Sequence, residues 1–249
     1  MTIIKGKRIV AAPCCGARYA LPHYVSMNFS ASEYWTDGWR EDSLMPNDAG
    51  IRHCSCGRFL LINELIWIET VESSDLPSMD RVPGILLPEC IAQAHSEDLA
   101  VAARLMYWRH LNHPYRLRYR LHRDMEEVAT RLAWEAANPD RRTWWDKACR
   151  RKALGYRRPS DTQFTYPAYC PTDEQQENMK QLSAILHAHN AVRPGYTMAL
   201  AELYRELGRF DAAAQVIESL DIRKSDVTGT LITRLIKEKE TAPIRYRMI

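Results

Sequence analysis

Two short stretches that pair cysteine with glycine constrain the fold of this chain most strongly. The first is Ala12-Pro13-Cys14-Cys15-Gly16 and the second is His53-Cys54-Ser55-Cys56-Gly57. Compact cysteine clusters in a chain with an odd total of seven cysteines are more typical of a metal site in a reducing compartment than of disulfide bonds. The sequence therefore predicts that both stretches form tight turns around one site.

Each stretch resembles one turn of a zinc ribbon, in which the pattern Cys-Pro-x-Cys-Gly brings two thiolates to one ion. Both stretches depart from that pattern. Ala12 stands where the first ligand is expected, and His53 takes the same position in the second turn, followed by Cys54 in place of proline. The resemblance implies a degenerate zinc-ribbon-like domain over 1–75 and, as cofactor, one structural zinc ion.

A structural zinc ion needs four nitrogen or sulfur ligands in a tetrahedron. Three residues, Cys15, His53 and Cys56, align with ligand positions of the ribbon, so that Cys14 or Cys54 would have to supply the fourth. The candidate metal ligands are Cys14, Cys15, His53, Cys54 and Cys56. The alternative is a scaffold in which hydrophobic contacts have replaced the ion and the thiols are half buried.

Strand-forming residues dominate the first 75 residues, whereas helical periodicity dominates the remainder. Apolar runs such as 3–10 and 59–68 are typical of strands. Farther along, Ser96 has the position of a helix N-cap, and Thr172 with Gln175 forms a capping box. The predicted fold class is α+β. Its parts are a β-rich domain at 1–75, a linker at 76–94, a helical domain at 95–241 and a tail at 242–249.

The segment 196–221 resembles a single tetratricopeptide repeat. Leu200 and Ala201 lie in its first half, Gly208 marks a turn, and Ala213 lies in its second half. Small alanines let two helices approach closely, and glycine permits the turn between them. The resemblance implies a short helical array, and such arrays bind proteins or peptides on a concave surface. The alternative is an ordinary helical hairpin in a globular core.

Basic residues are concentrated in the middle of the chain. Residues 104–158 contain 15 Lys and Arg against 6 Asp and Glu, whereas the remainder contains 19 against 25. Such a segment favours an acidic protein surface or the phosphates of nucleic acid, unless its arginines only pair with neighbouring carboxylates on a solvated helix. Arginine and tryptophan are effective interface anchors. The predicted partner-binding residues are Arg116, Arg118, Arg120, Trp144, Trp145 and Arg151.

The sequence lacks several motifs that are common in enzymes. Phosphate-binding glycine loops, the Gly-x-Ser-x-Gly turn and the His-Glu-x-x-His motif are absent. We therefore expect no enzymatic activity, although catalytic groups can also converge from distant positions. The sequence lacks an apolar run that could span a bilayer and a recognisable secretory signal, which predicts a cytoplasmic protein without membrane contact.

These features are best combined in the hypothesis of a non-catalytic protein-binding module of bacterial type. Such a protein would cover the active surface of a toxin or effector, as immunity proteins do, and its partner would carry an acidic surface. The alternative is a nucleic-acid-associated zinc-ribbon protein that uses the basic segment 104–158. Resistance of the complex to salt favours the first function, and dissociation at moderate salt favours the second.

Overall fold

The computed structural model describes residues 2–27, 29–41, 48–140, 142–150, 152, 155–157, 166–189, 194–220 and 226–246. Within these ranges the chain is an α+β protein in which small antiparallel sheets precede a helical part, as the sequence predicts. The chain forms two compact units. The larger unit combines Met1–Asn112 with Cys170–Ile249, and the smaller unit is His113–Tyr169.

The described strands form three antiparallel sheets of three strands each. The strands are β1 (Ile3–Ala11), β2 (Arg18–Ser26), β3 (Glu33–Trp35), β4 (Arg40–Glu41), β5 (Ile51–His53), β6 (Phe59–Leu61), β7 (Ile66–Val71), β8 (Asp80–Arg81) and β9 (Arg245–Tyr246). The sheet orders are β2-β1-β7, β4-β3-β9 and β6-β5-β8. Strand β9 belongs to the tail, where the sequence predicts no clear secondary structure, and it pairs with β3 through Trp35 and Arg245.

The helices follow the capping signals of the sequence in several places. They are α1 (Leu87–Ala92), α2 (Glu97–Leu111), α3 (His113–Ala137), α4 (Trp144–Ala148), α5 (Asp173–His189), α6 (Thr197–Glu206), α7 (Phe210–Glu218) and α8 (Val227–Lys237). The Ser96 hydroxyl accepts the N–H of Leu99 at 3.2 Å, and the Thr172 hydroxyl accepts the N–H of Gln175 at 3.2 Å. These two bonds satisfy N–H groups that have no partner within their helix.

Helix α2 lies at the centre of the larger unit. Leu99 and Ala103 pack against residues of the β5–β6 hairpin and α1, whereas Leu105 and Trp108 pack against the helical array α5 to α8. The segment 76–94, expected to be a linker, contains β8 and α1 and contributes buried side chains to the first of these cores. The β-rich part and the helices are thus joined by continuous apolar packing.

The α6–α7 hairpin is tightly packed around its small residues. Ala201 and Ala213 are fully buried in the helical core. Gly208 has φ +71° in the connection between the helices, a left-handed conformation that glycine adopts without steric cost. The turn of the predicted hairpin is therefore present where the sequence placed it.

Candidate functional site

Four cysteine side chains converge where two tight turns of the larger unit meet. Each turn is closed by a hydrogen bond across its base, from the N–H of Ala12 to the carbonyl of Ala17 and from the N–H of Cys54 to the carbonyl of Arg58. Gly16 and Gly57 have φ +72° and +87°, left-handed values that a side chain would strain. The glycines therefore form the turns that aim the thiols inward.

The spacing of the four sulfur atoms fits one tetrahedral metal ion. Cys14 Sγ lies 3.9 Å from Cys15 Sγ, 3.6 Å from Cys54 Sγ and 3.4 Å from Cys56 Sγ, and Cys15 Sγ lies 3.5 Å from Cys54 Sγ. All four sulfurs lie within 4.8 Å of one another. A zinc ion with zinc–sulfur bonds of about 2.3 Å has sulfur–sulfur edges of about 3.8 Å. The cluster can hold a metal ion with little rearrangement.

The thiols of this cluster differ in how easily they ionise. Burial opposes ionisation of Cys54, but the N–H of Cys56 and hydrogen bonds from Tyr19 and nearby thiols lower the pKa of Cys54 to about 6. Burial and hydrogen bonds with the other three cysteines raise the pKa of Cys14 to about 12. A cation among the sulfurs stabilises their thiolate forms together, since its charge offsets the repulsion between them.

His53 does not belong to the cluster that the four cysteines form. It lies in β5 opposite Phe59 of β6, and the two rings stack with centroids 4.8 Å apart. Cys54, the next residue, supplies the sulfur instead. The adjacent residues Cys14 and Cys15 both reach the cluster. The residues that could hold a metal ion together are therefore the four cysteines, without His53.

In most helices the aliphatic residues are buried and the charged residues are exposed, but in helix α3 of the smaller unit the aliphatic residues are exposed and two arginines are buried. Its buried side chains are aromatic or cationic, namely Tyr115, Arg116, Tyr119 and Arg123. Tyr115 packs edge-on against Tyr169 at 5.0 Å and Tyr119 stacks on Tyr166 at 5.9 Å between ring centroids. The buried face of α3 is therefore lined by tyrosine contacts within the smaller unit.

The aliphatic residues of α3 lie on the opposite face. Five of them are between 50% and 65% exposed, and we call them the α3 stripe: Leu117, Leu121, Met125, Val128 and Leu132. At 100° per residue they fall within about 80° of the helix circumference, and at 1.5 Å per residue they extend over about 22 Å. This is a continuous apolar surface on a regular helix, which marks an interaction site more often than single exposed residues do.

The structure places the predicted partner-binding residues in different environments. Arg116 is fully buried, Arg118 is exposed and Arg120 is half-buried. Trp144 and Trp145 of α4 are 67% and 63% exposed, and their rings stack with centroids 4.3 Å apart. Arg151 lies outside the described residues. The spacing of Met125, Val128 and Leu132 in the sequence predicts a helix there, but it does not predict that these side chains form an exposed surface.

A buried polar cluster at the end of α6 also escaped the sequence analysis. Trp108 Nε1 donates to Glu206 Oε2 at 2.9 Å, and Asn112 Nδ2 donates to Glu206 Oε2 at 3.2 Å and to Asp37 Oδ2 at 3.1 Å. Burial and the nearby carboxylates of Glu202 and Asp37 raise the pKa of Glu206 to about 8. These hydrogen bonds hold the β3–β4 turn against α2 and α6 and so stabilise the fold of the larger unit.

Comparison with known proteins gives no family for this chain: no family model, no curated protein and no solved structure matches it. Within the described residues, no helix combines the length and the apolar character needed to cross a membrane.

Proposed function

We propose that this chain is a non-catalytic protein-binding module whose partner covers the α3 stripe. The observation that carries this proposal is the placement of five aliphatic side chains, each at least half exposed, on the face of α3 opposite its buried residues. Burial of apolar surface is the main favourable term in most protein associations. An inhibitor or immunity-type protein, which covers the active surface of a toxin or effector, is the form of this function that we propose.

The partner that fits this surface has an apolar groove with acidic residues at its rim. The stripe has the spacing of residues that dock a helix into a groove, and exposed Arg118 follows Leu117 at its beginning. The stacked pair Trp144 and Trp145 adds large exposed aromatic surface in the same unit. Aromatic and arginine side chains supply most of the energy in many interfaces.

We propose that the four-cysteine cluster binds one structural zinc ion and that the β-rich part is a degenerate zinc ribbon. Support comes from four sulfurs at tetrahedral spacing in two glycine-containing turns. Four protein ligands would leave no open position for substrate, so the role of the ion would be to hold the two turns together. The β-rich part would then brace the larger unit and leave partner binding to other surfaces.

The helical part of the larger unit is proposed to be a tetratricopeptide-like array around the α6–α7 hairpin. Two close-packed helices with buried alanines and a glycine turn support this assignment. Helices α5 and α8 cover the hairpin with apolar side chains, as neighbouring helices must because one repeat cannot bury its own faces.

The alternative function, nucleic-acid binding through the basic segment 104–158, stays a prediction. Within that segment Arg116 and Arg123 are buried, so their guanidinium groups are withdrawn from a phosphate-binding surface. Protein binding is therefore the function that the described geometry favours.

Native mass spectrometry of the untagged protein, purified from its own cells, tests the proposed function. We expect a stoichiometric complex with one other protein. The double variant Leu121→Ser/Val128→Ser should lose that complex, because each buried aliphatic side chain contributes about 1.5 kcal/mol or more to association. The matched control is Ile85→Ser, which removes an aliphatic side chain that is 82% exposed in the larger unit and should leave the complex intact.

Two outcomes would contradict the proposal. One is a complex that the Leu121→Ser/Val128→Ser variant retains at full occupancy, since the α3 stripe would then have no part in binding. The other is nucleic acid as the sole co-purifying macromolecule, which would move the function to the arginines of the middle segment. Circular dichroism of the variant confirms that its helices have formed before either result is interpreted.

A further inference from the structure

A cavity of about 830 Å³ opens in the larger unit, and none of the four cysteines of the cluster lines it. One wall is formed by the β2-β1-β7 sheet, which contributes Val10, Leu21 and Trp67. Arg52 of β5 and Met79, which precedes β8, line it as well. Its volume lies within the range of cavities that bind small organic molecules.

The cavity is strongly basic. Among the residues that the structure describes, its lining includes a single carboxylate, that of Asp48, against five arginines: Arg8, Arg40, Arg52, Arg81 and Arg109. Asp48 forms a buried ion pair with Arg52 and lies 3.4 Å from Arg81 Nε. Arginine charges in a concave, partly apolar site raise the local concentration of anions. The site therefore selects for negative charge.

The arginines differ in what they can offer a ligand. Arg52 is buried and held by Asp48, so it shapes the wall. Arg109 Nε donates to the carbonyl of Asp37 at 3.0 Å, which fixes its position. Arg8 and Arg81 are exposed at the cavity. Arg81 contacts Asp48 through Nε, so it would offer a phosphate its two Nη groups, and Arg8 would contact the same phosphate. Guanidinium groups bind phosphate oxygens in pairs of parallel hydrogen bonds.

An aromatic surface lies beside this charge. Trp67 of β7 lines the cavity while 61% of its surface is exposed, so the ring is not needed to fill a core. Tyr24 of β2 lines the same cavity. A planar heterocycle can stack on such rings, and the binding free energy gained depends little on which heterocycle it is. Charge and ring together define a ligand that has a phosphate at one end and a planar group at the other.

We propose that this cavity binds a mononucleotide, a small organic phosphate with a planar base. The phosphate is bound by Arg8 and Arg81, and the base lies against Trp67. This site is independent of the proposed partner-binding function, because its residues belong to the larger unit and the α3 stripe belongs to the smaller one.

Isothermal titration calorimetry of the full chain with AMP, GMP, CMP and UMP tests the proposal. At least one of these nucleotides should bind with one-to-one stoichiometry. Adenosine, which lacks phosphate, and inorganic phosphate, which lacks a base, should each bind at least about tenfold more weakly than the best nucleotide. The variants Arg81→Gln, Arg8→Gln and Trp67→Leu should each weaken nucleotide binding by about tenfold.

The matched control is Arg58→Gln, which removes an exposed arginine of the same unit that is not part of the cavity lining. It should leave nucleotide affinity unchanged. Unchanged thermal stability of Arg81→Gln and Trp67→Leu shows that any loss of binding is local. Several results would overturn the proposal: no nucleotide binding, equal weakening by Arg58→Gln, adenosine or phosphate binding as tightly as the nucleotide, or tighter binding of a hexaglutamate peptide than of every nucleotide.

Discussion

At the scale of single residues, the four cysteines and His53 make opposite predictions about metal content. Replacing Cys56 by Ser should lower bound zinc from one ion per chain to well below one, because a hydroxyl is a much poorer zinc ligand than a thiolate. Replacing His53 by Ala should leave zinc unchanged, since its ring stacks on Phe59. Zinc per chain is measured by elemental mass spectrometry after purification without chelators.

The control for these variants is Cys170→Ser, which removes an exposed cysteine outside the cluster. It should retain one zinc ion. Cys56 is a ligand in both candidate sets, so His53→Ala is the variant that separates them: loss of zinc from His53→Ala would support the ribbon register in which His53 is a ligand and would refute the four-cysteine set. Absence of zinc from the unsubstituted protein would support the alternative in which hydrophobic contacts have replaced the ion.

The carboxyl of Glu206 makes stability depend on pH. Its pKa in the folded protein is about 8, above its ordinary value of 4.5. Below about pH 4.5 the Glu206 carboxyl is protonated in both the folded and the unfolded chain, so it does not make the free energy of unfolding depend on pH. As pH rises toward 8 the unfolded chain releases the proton that the folded chain keeps, so the free energy of unfolding falls by on the order of 5 kcal/mol and then levels off.

Replacing Glu206 by Gln should therefore flatten the pH dependence. The variant keeps the shape and the oxygen acceptor but has no proton to release, so it should gain stability relative to the parent as pH rises from 5 to 8. Thermal unfolding at both pH values provides the measurement, and exposed Glu218→Gln on α7 is the control. An equal fall in stability for Glu206→Gln and the parent would show that other groups cause it.

The sequence identifies these residues only in part. Cysteine next to glycine in two short stretches is a local signal, and it predicts the turns and the four cysteines that could hold a metal ion. The exclusion of His53 depends on cross-strand packing with Phe59, which no local pattern encodes. The burial of Glu206 cannot be predicted from the sequence either. Residues 200–206 of α6 are all buried, so α6 lacks the alternation of buried and exposed faces from which burial is usually predicted.

At the scale of elements, Gly208 tests the α6–α7 hairpin. Its φ of +71° is a left-handed value, so Gly208→Ala should lower the free energy of unfolding by about 1 kcal/mol. A Cβ there meets no atom within 4 Å, so a steric clash does not contribute. Chemical denaturation measures the change. The control is Gly195→Ala, where the surroundings are also open, and it should lower the free energy of unfolding by less. Equal effects would mean that the turn does not require the left-handed conformation.

Helix α3 shows how far an apolar pattern can predict structure. Spacing of three and four residues among Met125, Val128 and Leu132 correctly predicts a helix, because one side of any α-helix repeats at that spacing. It does not predict which side is buried. Tyr115 and Tyr119 pack on tyrosines of the smaller unit and Arg116 is buried beside them, whereas the aliphatic face is exposed.

The helix also begins earlier than the Asn-His-Pro sequence suggests. A proline disfavours helical backbone in the residue before it, so Asn112-His113-Pro114 predicts the end of a helix, and α2 does end at Leu111. However, α3 starts at once with His113, and Pro114 takes its second position. Proline is tolerated in the first turn because the N–H groups there have no partner within the helix. Pro114 therefore lies in the first turn of α3, and only Asn112 stands between the two helices.

At the scale of the whole molecule, salt distinguishes the two functions proposed for the basic middle segment. A complex formed through the α3 stripe should change its affinity less than about tenfold between 50 mM and 500 mM salt, because apolar burial is not screened. Binding through phosphate contacts should weaken by about 10³-fold or more over a similar range. Affinity of the purified complex, measured by biolayer interferometry at both salt concentrations, decides between the two.

The division of the chain into units was not evident from the sequence. Composition suggests a boundary near 75–95, where strands give way to helices, yet apolar packing continues across that boundary through α1 and α2. The compact unit that stands apart is His113–Tyr169, in the middle of the helical part. Long-range contacts between 1–112 and 170–249 create this division, and they have no signature in local periodicity.

The proposed function requires that a protein partner covers the α3 stripe in the cell. The most direct measurement is photo-crosslinking in the native cells, with a photoreactive amino acid in place of Val128 and, separately, in place of Ile85. We predict one abundant cross-linked product with another protein from position 128 and little from position 85. No cross-linked partner from position 128, or the same set of products from both positions, would contradict the claim.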